Sequence, residues 1–249
     1  MHAPGFVEIQ RRHYERADPR HYRWQTEAPW FSAAEAALIA GVAARPGERV
    51  LEVGCGDGGN LCHLGRACPE AARFGVDFSP AKAAFAQQAT GARTAAADAA
   101  HLPFADQSFD AILIRDLLHH LPDRPRALAE ARRVLRPGGR LTLIEPNRRA
   151  PLVLLQAALV RAERGLFAST AERLERELAA AGFQLLSAEK RQPFPLGRVI
   201  LHARLGADRL GALSPVRAAL DAFDSLMGRV VPRRAWLYLV YSAMRPKES

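Results

Sequence analysis

The sequence predicts a doubly wound α/β fold with a seven-stranded, mostly parallel sheet and helical lid insertions. Three observations support this prediction. A glycine-rich turn directly follows a buried strand at residues 50–60 (VLEVGCGDGGN), strand and helix patterns alternate from residue 47 onward, and turn residues mark the junctions. In such sheets ligands bind beyond the carboxyl ends of the strands. We therefore expect the binding site beside the glycine-rich turn.

The first five strands are predicted between residues 47 and 147. Their sequences are RVLEVG, ARFGVDF, ARTAAAD, FDAILIRD and GRLTLIEPN. Ser79 and Asp123 are at N-cap positions of two of the intervening helices, and Pro80 follows Ser79 at the first helical position. The segments FQLLSAEKR and AWLYLVYSAM are the candidates for strands six and seven. Right-handed crossovers between parallel strands complete the predicted fold.

Two further helices are predicted from capping boxes, in which a serine precedes a glutamate by three residues. Ser32 and Glu35 mark a helix that would lie against the first strand, and Ser169 and Glu172 mark a helix before strand six. We expect a single domain over 1–249. Its parts are an N-terminal helical segment (1–46), a core (47–147), two lids (148–168 and 191–234), and the elements that complete the sheet (169–190 and 235–245).

The net charge of +9 is concentrated in the last hundred residues, where 148–249 contain 17 basic and 9 acidic groups. An anionic substrate, or peripheral contact with an anionic membrane surface, would explain this excess. Composition is an equal alternative, because 32 of the 35 basic residues are arginine and alanine is abundant. No basic block interleaved with aromatics is present, so we expect no nucleic-acid partner.

Cysteine spacing and hydropathy bear on the cellular compartment. The three cysteines form no CxxC pair, so we expect a reduced compartment, no structural zinc and no other metal. The apolar run at 151–160 is shorter than the roughly 20 residues of a membrane span, and the N-terminus lacks the apolar stretch of a secretory signal. We expect a cytoplasmic protein.

The glycine-rich turn fits two kinds of nucleotide site. Gly54, Gly56 and Gly59 with the later Asp77 satisfy the dinucleotide pattern, which would indicate an NAD-dependent oxidoreductase. Glu52 followed by Gly54, Gly56 and Gly58 gives a second pattern, an acid with glycines at alternate positions. A pyrophosphate needs a helix N-terminus free of carboxylates, whereas a ligand that carries an ammonium and a sulfonium favours them. Glu52 and Asp57 therefore favour the cationic ligand.

Five segments in order extend the second pattern: VLEVGCGDGG, GVDFSP, AADAAHLPFADQSFDAILI, LLHHLPD and EARRVLRPGGRLTLIEPN. Together they resemble the class I, ubiquinone-biosynthesis-type S-adenosylmethionine methyltransferases of the methyltransferase type 11 family, which have a Rossmann-like fold. The resemblance covers about residues 47–147. The connection between strands six and seven departs from it, because 191–234 is much longer than the family's tight hairpin.

The resemblance implies roles for nine residues in binding S-adenosylmethionine. Glycines 54, 56 and 58 would let the backbone approach the ligand, and Glu52 would lie near its amino group. Asp77 would accept from both ribose hydroxyls. At the adenine, Asp98 would bind the amino group, the Ala99 N–H would reach the ring, and Phe78 and Leu102 would enclose the base.

Candidates for the chemistry follow strands four and five: Arg115, His119, His120 and Glu145. A base is needed for a phenol, alcohol or carbon acid and is superfluous for a carboxylate or an amine. Each candidate also has a structural interpretation. Arg115 would pair with Asp116, the histidines would support the loop, and Glu145 would cap the following loop.

The sequence thus predicts an enzyme that transfers a methyl group from S-adenosylmethionine to a small-molecule or lipid-like acceptor, for example an anionic compound, a quinone or a lipid-linked glycan. A non-catalytic S-adenosylmethionine-binding regulator is the alternative, with the oxidoreductase third. The accepting atom and the oligomeric state are left open.

Overall fold

The computed structural model describes residues 5–42, 44–194, 196–201 and 208–247. Its centre is one seven-stranded sheet in the order β3-β2-β1-β4-β5-β7-β6. Six strands run in one direction, and β7 pairs antiparallel with β5 and β6. The strands are β1 (Arg49–Val53), β2 (Ala72–Asp77), β3 (Arg93–Ala96), β4 (Phe109–Arg115), β5 (Leu135–Pro146), β6 (Gln184–Arg191) and β7 (Tyr238–Met244). The predicted fold class is confirmed.

Ten α-helices surround this sheet in the described residues. They are α1 (Phe6–Tyr14), α2 (Pro19–Glu27), α3 (Phe31–Ile39), α4 (Gly59–Ala67), α5 (Pro80–Thr90), α6 (Arg124–Val134), α7 (Pro151–Leu159), α8 (Ala171–Ala180), α9 (Leu196–Ile200) and α10 (Ser214–Val230). Short 3-10 helices cover Leu118–His120, Arg161–Ala168, Asp208–Ala212 and Arg233–Ala235. None of the described helices is long and apolar enough to cross a membrane.

The core lies on both faces of the sheet because successive strand residues point to opposite sides. Leu51 and Ile112 pack on one face with residues of α6 and α8. Val50 and Leu113 pack on the other face with residues of α3, α4 and α7. The central strands β1 and β4 are buried on both sides, which explains their nearly continuous apolar sequences.

Both capping boxes are corrected by the structure, whereas Ser79 and Asp123 cap α5 and α6 as predicted. Helix α3 begins at Phe31 with no side-chain cap, and its Ser32 hydroxyl instead donates to the Thr26 carbonyl. Helix α8 is capped by Thr170, one residue later than predicted. Its neighbour Ser169 is buried and donates to the Pro146 carbonyl. In both cases tertiary contacts outweigh the local capping preference.

The division into core and lids stays a prediction. The first predicted lid contains α7 and the 3-10 helix that follows it, and the second contains α9 and α10. Parts of the predicted segments lie outside the described residues, namely 1–4, 43, 195 and 202–207.

Candidate active site

A cavity of about 790 Å³ opens at the carboxyl ends of β1, β2 and β4. This is the edge where the strand order reverses, the usual ligand-binding position of doubly wound sheets. Its volume is within the range of roughly 300–1,000 Å³ for small-molecule sites. Helices α1 and α2 contribute Gln10, Tyr14, His21 and Gln25 to its walls, so the N-terminal segment closes part of the cavity.

The glycine-rich turn forms one wall. Gly54, Gly56 and Gly58 all have positive φ, the region that side chains disfavour. A Cβ at Gly56 would meet open space, so the backbone there faces the cavity. A Cβ at Gly58 would instead come within 3.0 Å of Ala86 on α5. The structure thus places Gly54 and Gly56 on the cavity, and Gly58 behind it against a helix.

Asp77 is fixed at the end of β2 beside this turn. Its two oxygens accept from the backbone N–H groups of Gly56, at 2.9 Å, and Ser79, also at 2.9 Å. Burial raises the pKa of Asp77 against the effect of these two donors. A rigidly held, doubly accepting carboxylate therefore lines the cavity.

Glu52 lies deeper in the cavity wall and is almost fully buried. One carboxylate oxygen accepts from Asn60 Nδ2 at 2.6 Å, and the other, Oε2, has no partner in the described part of the chain. Burial raises the pKa of Glu52 to about 8. An unpartnered buried oxygen is costly, and a cationic ligand group at this point would satisfy it.

The residues predicted for the adenine divide into two sets. Asp98, Ala99 and Phe78 line the cavity, and Asp98 also accepts from the Ala100 N–H at 2.9 Å. Leu102 is buried in the core cluster and is not part of the cavity wall. Its N–H donates to Glu130 at 2.8 Å.

Hydrogen bonds attach the N-terminal segment to the glycine-rich turn and to both ends of α5. The Asp18 N–H donates to Asp57 at 3.1 Å, and the Tyr22 hydroxyl donates to the Ala89 carbonyl at 3.2 Å. The Ser79 hydroxyl donates to the Glu15 carbonyl. The predicted cap Ser79 thus also holds the segment between α1 and α2.

A buried cluster around His119 lies behind the opposite end of the cavity. His119 Nδ1 is 2.7 Å from Glu145 Oε2, and its Nε2 is 3.4 Å from Glu163 Oε2. Glu145 also accepts from the N–H groups of Leu117 and Leu118. Burial alone would lower the pKa of His119, but the two carboxylates outweigh it and raise the pKa to about 10. His119 is therefore an imidazolium held between two carboxylates.

Tyr14 completes the His119 cluster from α1, because its hydroxyl donates to Glu163. Burial would raise the pKa of Glu163, yet the hydrogen bond from His119 and the neighbouring groups lower it to about 2. Neither His119 nor Glu145 lines the cavity. Their position indicates support of the 118–120 turn.

His120 differs from its neighbour, since it lines the cavity. Its ring centroid is 3.9 Å from that of His119 and 4.9 Å from that of Tyr14. Its Nδ1 is buried and has no partner in the described residues. Burial and the adjacent His119 charge lower the pKa of His120 to about 3. His120 is therefore a neutral imidazole on the cavity wall, and its Nδ1 is buried without a partner in the described residues.

A second buried cluster surrounds Arg115, which also lines the cavity. Arg115 Nη2 is 2.7 Å from Glu35 on α3, and its Nε is 3.2 Å from Asp116. Arg198 on α9 donates to the second Glu35 oxygen at 3.0 Å. Burial would raise the pKa of Glu35, but the two arginines hold it below its usual range. Glu35, predicted as half of a capping box, is instead the shared anion of two arginines.

Three residues of these polar clusters were not predicted from the sequence as site residues: Glu35, Asn60 and Glu163. Asn60 links Glu52 to Arg115, whose Nη1 donates to Asn60 Oδ1 at 2.9 Å. Glu35 and Glu163 share a recognisable signal. Each is a single acid within an apolar stretch, SAAEAALIAG and PLVLLQAALVRAERGLF, where a buried carboxylate needs a cation.

His119, His120 and Glu163 also offer ligand atoms within 4.8 Å of one another, which is close enough for a metal ion. The imidazolium at His119 already supplies one positive charge to the two carboxylates of that cluster, Glu145 and Glu163. The absence of a metal stays a prediction.

Comparisons with known proteins agree with this geometry. Residues 51–143 match the methyltransferase domain family. Over 98 residues the chain is 44% identical to a phthiotriol/phenolphthiotriol dimycocerosates methyltransferase of Mycobacterium leprae. This aligned stretch covers 38% of this chain and 36% of that protein. The chain is also 34% identical over 207 residues to a fatty-acid O-methyltransferase of Mycolicibacterium smegmatis. That alignment covers 81% of this chain and 62% of the relative. These matches confirm the predicted resemblance to the class I S-adenosylmethionine-dependent methyltransferases, with the methyltransferase domain at residues 51–143.

The similarity in fold extends beyond the matched methyltransferase domain. A solved structure of the [4+2]-cyclase SpnF covers 99% of this chain and 98% of its own, with a TM-score of 0.70 and 24% identity. This likeness shows the fold alone, and the activity of that protein is named as a cyclisation. The match to the Mycobacterium leprae relative spans about a third of that protein's length. The match to a methyltransferase domain therefore leaves the reaction and the acceptor to be argued from the site.

Proposed function

We propose that this protein transfers the methyl group of S-adenosylmethionine to a hydroxyl oxygen of an apolar, lipid-like acceptor. One observation carries the proposal: two residues that line the same cavity, Glu52 and His120, each have a buried polar atom, Oε2 and Nδ1, without a hydrogen-bond partner among the described residues. The first is an acceptor for a cationic group of the donor. The second is an acceptor for the proton that a hydroxyl loses when it is methylated.

The residues present fit the donor. Its ammonium would supply the missing partner of Glu52, and the charge would stabilise the ionised form of that carboxyl. Asp77 is held at a strand end for the ribose, and the open backbone at Gly56 lets the ligand approach. Asp98, Ala99 and Phe78 line the region for the adenine. Bound there, the donor supplies an electrophilic methyl group on a sulfonium.

The proton acceptor follows from His120. When the acceptor oxygen forms its bond to the methyl carbon and the carbon–sulfur bond breaks, the hydroxyl proton becomes strongly acidic. A neutral imidazole takes up such a proton even when its own pKa is low, because the methylated oxygen is far more acidic. Arg115 and Glu145 do not need to touch the acceptor in this scheme. They hold the loops between which it binds.

The acceptor class rests on the cavity wall and the relatives. Leu117, Leu121 and Pro122 give the His120 side an apolar surface. The relatives named above are described as acting on phthiotriol dimycocerosates and on fatty acids, which are long-chain compounds. A lipid-like acceptor suits both observations.

Turnover with methyl-labelled S-adenosylmethionine tests the proposal. The acceptors would be a lipid extract of the source cells, 1-hexadecanol and hexadecanoic acid, each in detergent, with the product partitioned between organic and aqueous phases. We expect label in the organic phase from the lipid extract and from hexadecanol. Label only on hexadecanoic acid would overturn the hydroxyl assignment, since a carboxylate needs no base. Donor binding without label in any fraction would indicate the non-catalytic regulator.

Two variants separate binding from chemistry. Asp77→Ala should weaken donor affinity in calorimetry while the fold is retained. His120→Gln should keep donor affinity and lower kcat by about 10²–10⁴-fold. The control is His13→Gln, because His13 is exposed and lies outside the cavity wall. Unchanged kcat in His120→Gln would overturn the role of His120, and tight binding of NAD in place of S-adenosylhomocysteine would indicate an oxidoreductase.

A further inference from the structure

The solvent-facing side of helix α7 is apolar, which reverses the usual pattern of a surface helix. Val153 and Ala157 point inward and are buried. The opposite side presents Leu154, Leu155 and Leu159 to solvent, with Leu155 54% and Leu159 73% exposed. At 100° per residue, these leucines and the exposed Ala158 fall on one side of the helix. Contiguous apolar exposure of this kind marks an interaction surface.

Arginines border this apolar face at both ends. Arg148 and Arg149 precede the helix, and Arg161 and Arg164 follow it, all four exposed. Of these four arginines, only Arg149 has an acidic partner within the described part of the chain, namely Glu172. The single acid between residues 148 and 168 is Glu163, which is buried against His119. The exposed surface of this segment is therefore mainly apolar in the middle, where Gln156 is the one exposed polar residue of α7, and positively charged at its ends.

The segment is also joined directly to the candidate active site. The 3-10 helix after α7 supplies Glu163 to the His119 cluster, and the Ala162 carbonyl accepts from Gln10 on the cavity wall. A surface that binds to α7 would thus be next to the His120 side of the cavity.

We propose that α7 and its four flanking arginines, residues 148–164, dock this protein on an anionic lipid bilayer. The leucines would insert at the boundary of headgroups and acyl chains, and the arginines would contact lipid phosphates. Charge complementarity decides the occupant, because a bilayer satisfies an apolar centre and a cationic border at once. Docking here places the cavity beside a source of apolar acceptor, but it does not depend on the proposed reaction.

Sedimentation with vesicles tests this surface without any acceptor. The full-length protein should bind vesicles of phosphatidylcholine and phosphatidylglycerol and should bind phosphatidylcholine alone much more weakly. Leu155→Gln/Leu159→Gln should lower the partition coefficient at least tenfold. Its matched control is Leu185→Gln/Leu186→Gln on the edge strand β6, where the leucines are 42% and 53% exposed. The control should bind as the natural protein does.

Two triple arginine variants distinguish binding through this local surface from binding through the net charge of the protein. Arg148→Gln/Arg161→Gln/Arg164→Gln should weaken binding about fivefold per arginine. Arg209→Gln/Arg217→Gln/Arg229→Gln, three exposed arginines elsewhere, should change it little. Equal losses in both triple variants would overturn the proposal, because net charge would then explain binding. A dimer in sedimentation velocity that the leucine variant dissociates, without vesicle binding, would assign α7 to self-association and also overturn it.

Discussion

Two buried charge clusters flank the candidate site. Each joins an N-terminal helix to a strand end and to a later helical segment, but the cation is arginine in one cluster and histidine in the other. The Arg115 cluster links α3 through Glu35, the end of β4 through Arg115, and α9 through Arg198. Arginine stays charged at every pH at which a protein folds. The strength of this cluster is therefore independent of pH until its carboxylate titrates.

The His119 cluster links α1 through Tyr14, the end of β5 through Glu145, and the segment after α7 through Glu163. Its cation is an imidazolium, which loses its charge when it deprotonates. In both clusters an N-terminal helix and a later helical segment are fixed to the end of a strand, but the cation is permanent on one side of the cavity and titratable on the other.

The largest expected effect comes from removing the anion of the Arg115 cluster. Glu35→Ala leaves two buried arginines without their shared carboxylate and should lower the free energy of unfolding by about 3–5 kcal/mol. Denaturant unfolding measures it. The control Glu172→Ala removes an exposed carboxylate paired with Arg149 and should leave stability unchanged. Equal, small effects for both variants would mean that Glu35 does not hold this cluster together.

The second prediction concerns pH and the His119 cluster. The folded pKa of His119, about 10, is above its unfolded value of about 6.5. Its stabilisation is therefore complete below about pH 6.5 and is lost as the pH rises through about 10, a change on the order of a few kcal/mol. The lowered pKa of Glu163, about 2, acts in the opposite direction. Its stabilisation is present above about pH 4.5 and is lost as the pH falls toward 2.

Unfolding free energies measured across this pH range test whether stability falls as the pH rises toward 10. The natural protein should lose more stability between pH 6.5 and 10 than His119→Gln, in which the titrating group is absent. His13→Gln, an exposed histidine, should retain the natural slope. A steeper or unchanged slope in His119→Gln would contradict the assignment of an imidazolium between two carboxylates.

The smallest effect should come from the link between α1 and the His119 cluster. Tyr14→Phe removes one hydrogen bond to the charged Glu163 and should cost about 1.5 kcal/mol, because His119 still faces that carboxylate. Tyr22→Phe is the matched control, since its exposed hydroxyl donates to a neutral carbonyl and should cost about 0.5 kcal/mol. A larger loss in Tyr22→Phe than in Tyr14→Phe would mean that the N-terminal segment is held mainly by the contact of α2 with α5 and not by the His119 cluster.

The sheet could be predicted in detail because its signals are local. Each strand of the core is an apolar run bounded by turn residues, and Ser79 and Asp123 cap their helices where the pattern places them. The Ser32–Glu35 capping box failed for a physical reason. A cap stabilises a helix by about 1 kcal/mol, whereas leaving a buried ion pair incomplete costs several times more. Glu35 therefore follows its tertiary partners.

The candidate site likewise contains residues that local spacing places and residues that only tertiary packing places. Glu52, Gly54, Gly56 and Asp77 lie on one strand, its turn and the next strand end, so spacing along the chain places them on the cavity. The distinction between His119 and His120 could not be made from the dipeptide. It depends on Glu163 and Tyr14, which are distant in sequence and which reach the turn only after α1 and the segment following α7 have packed.

The sequence by itself thus determined the fold class, the nucleotide-side edge of the sheet and the methyltransferase family, because periodicity and turn chemistry act over a few residues. Only the tertiary structure decided which polar groups are paired. Charge pairing across 80 residues between Glu35 and Arg115, and the outward apolar face of α7, depend on which surfaces meet, and residue order does not encode that within any one segment.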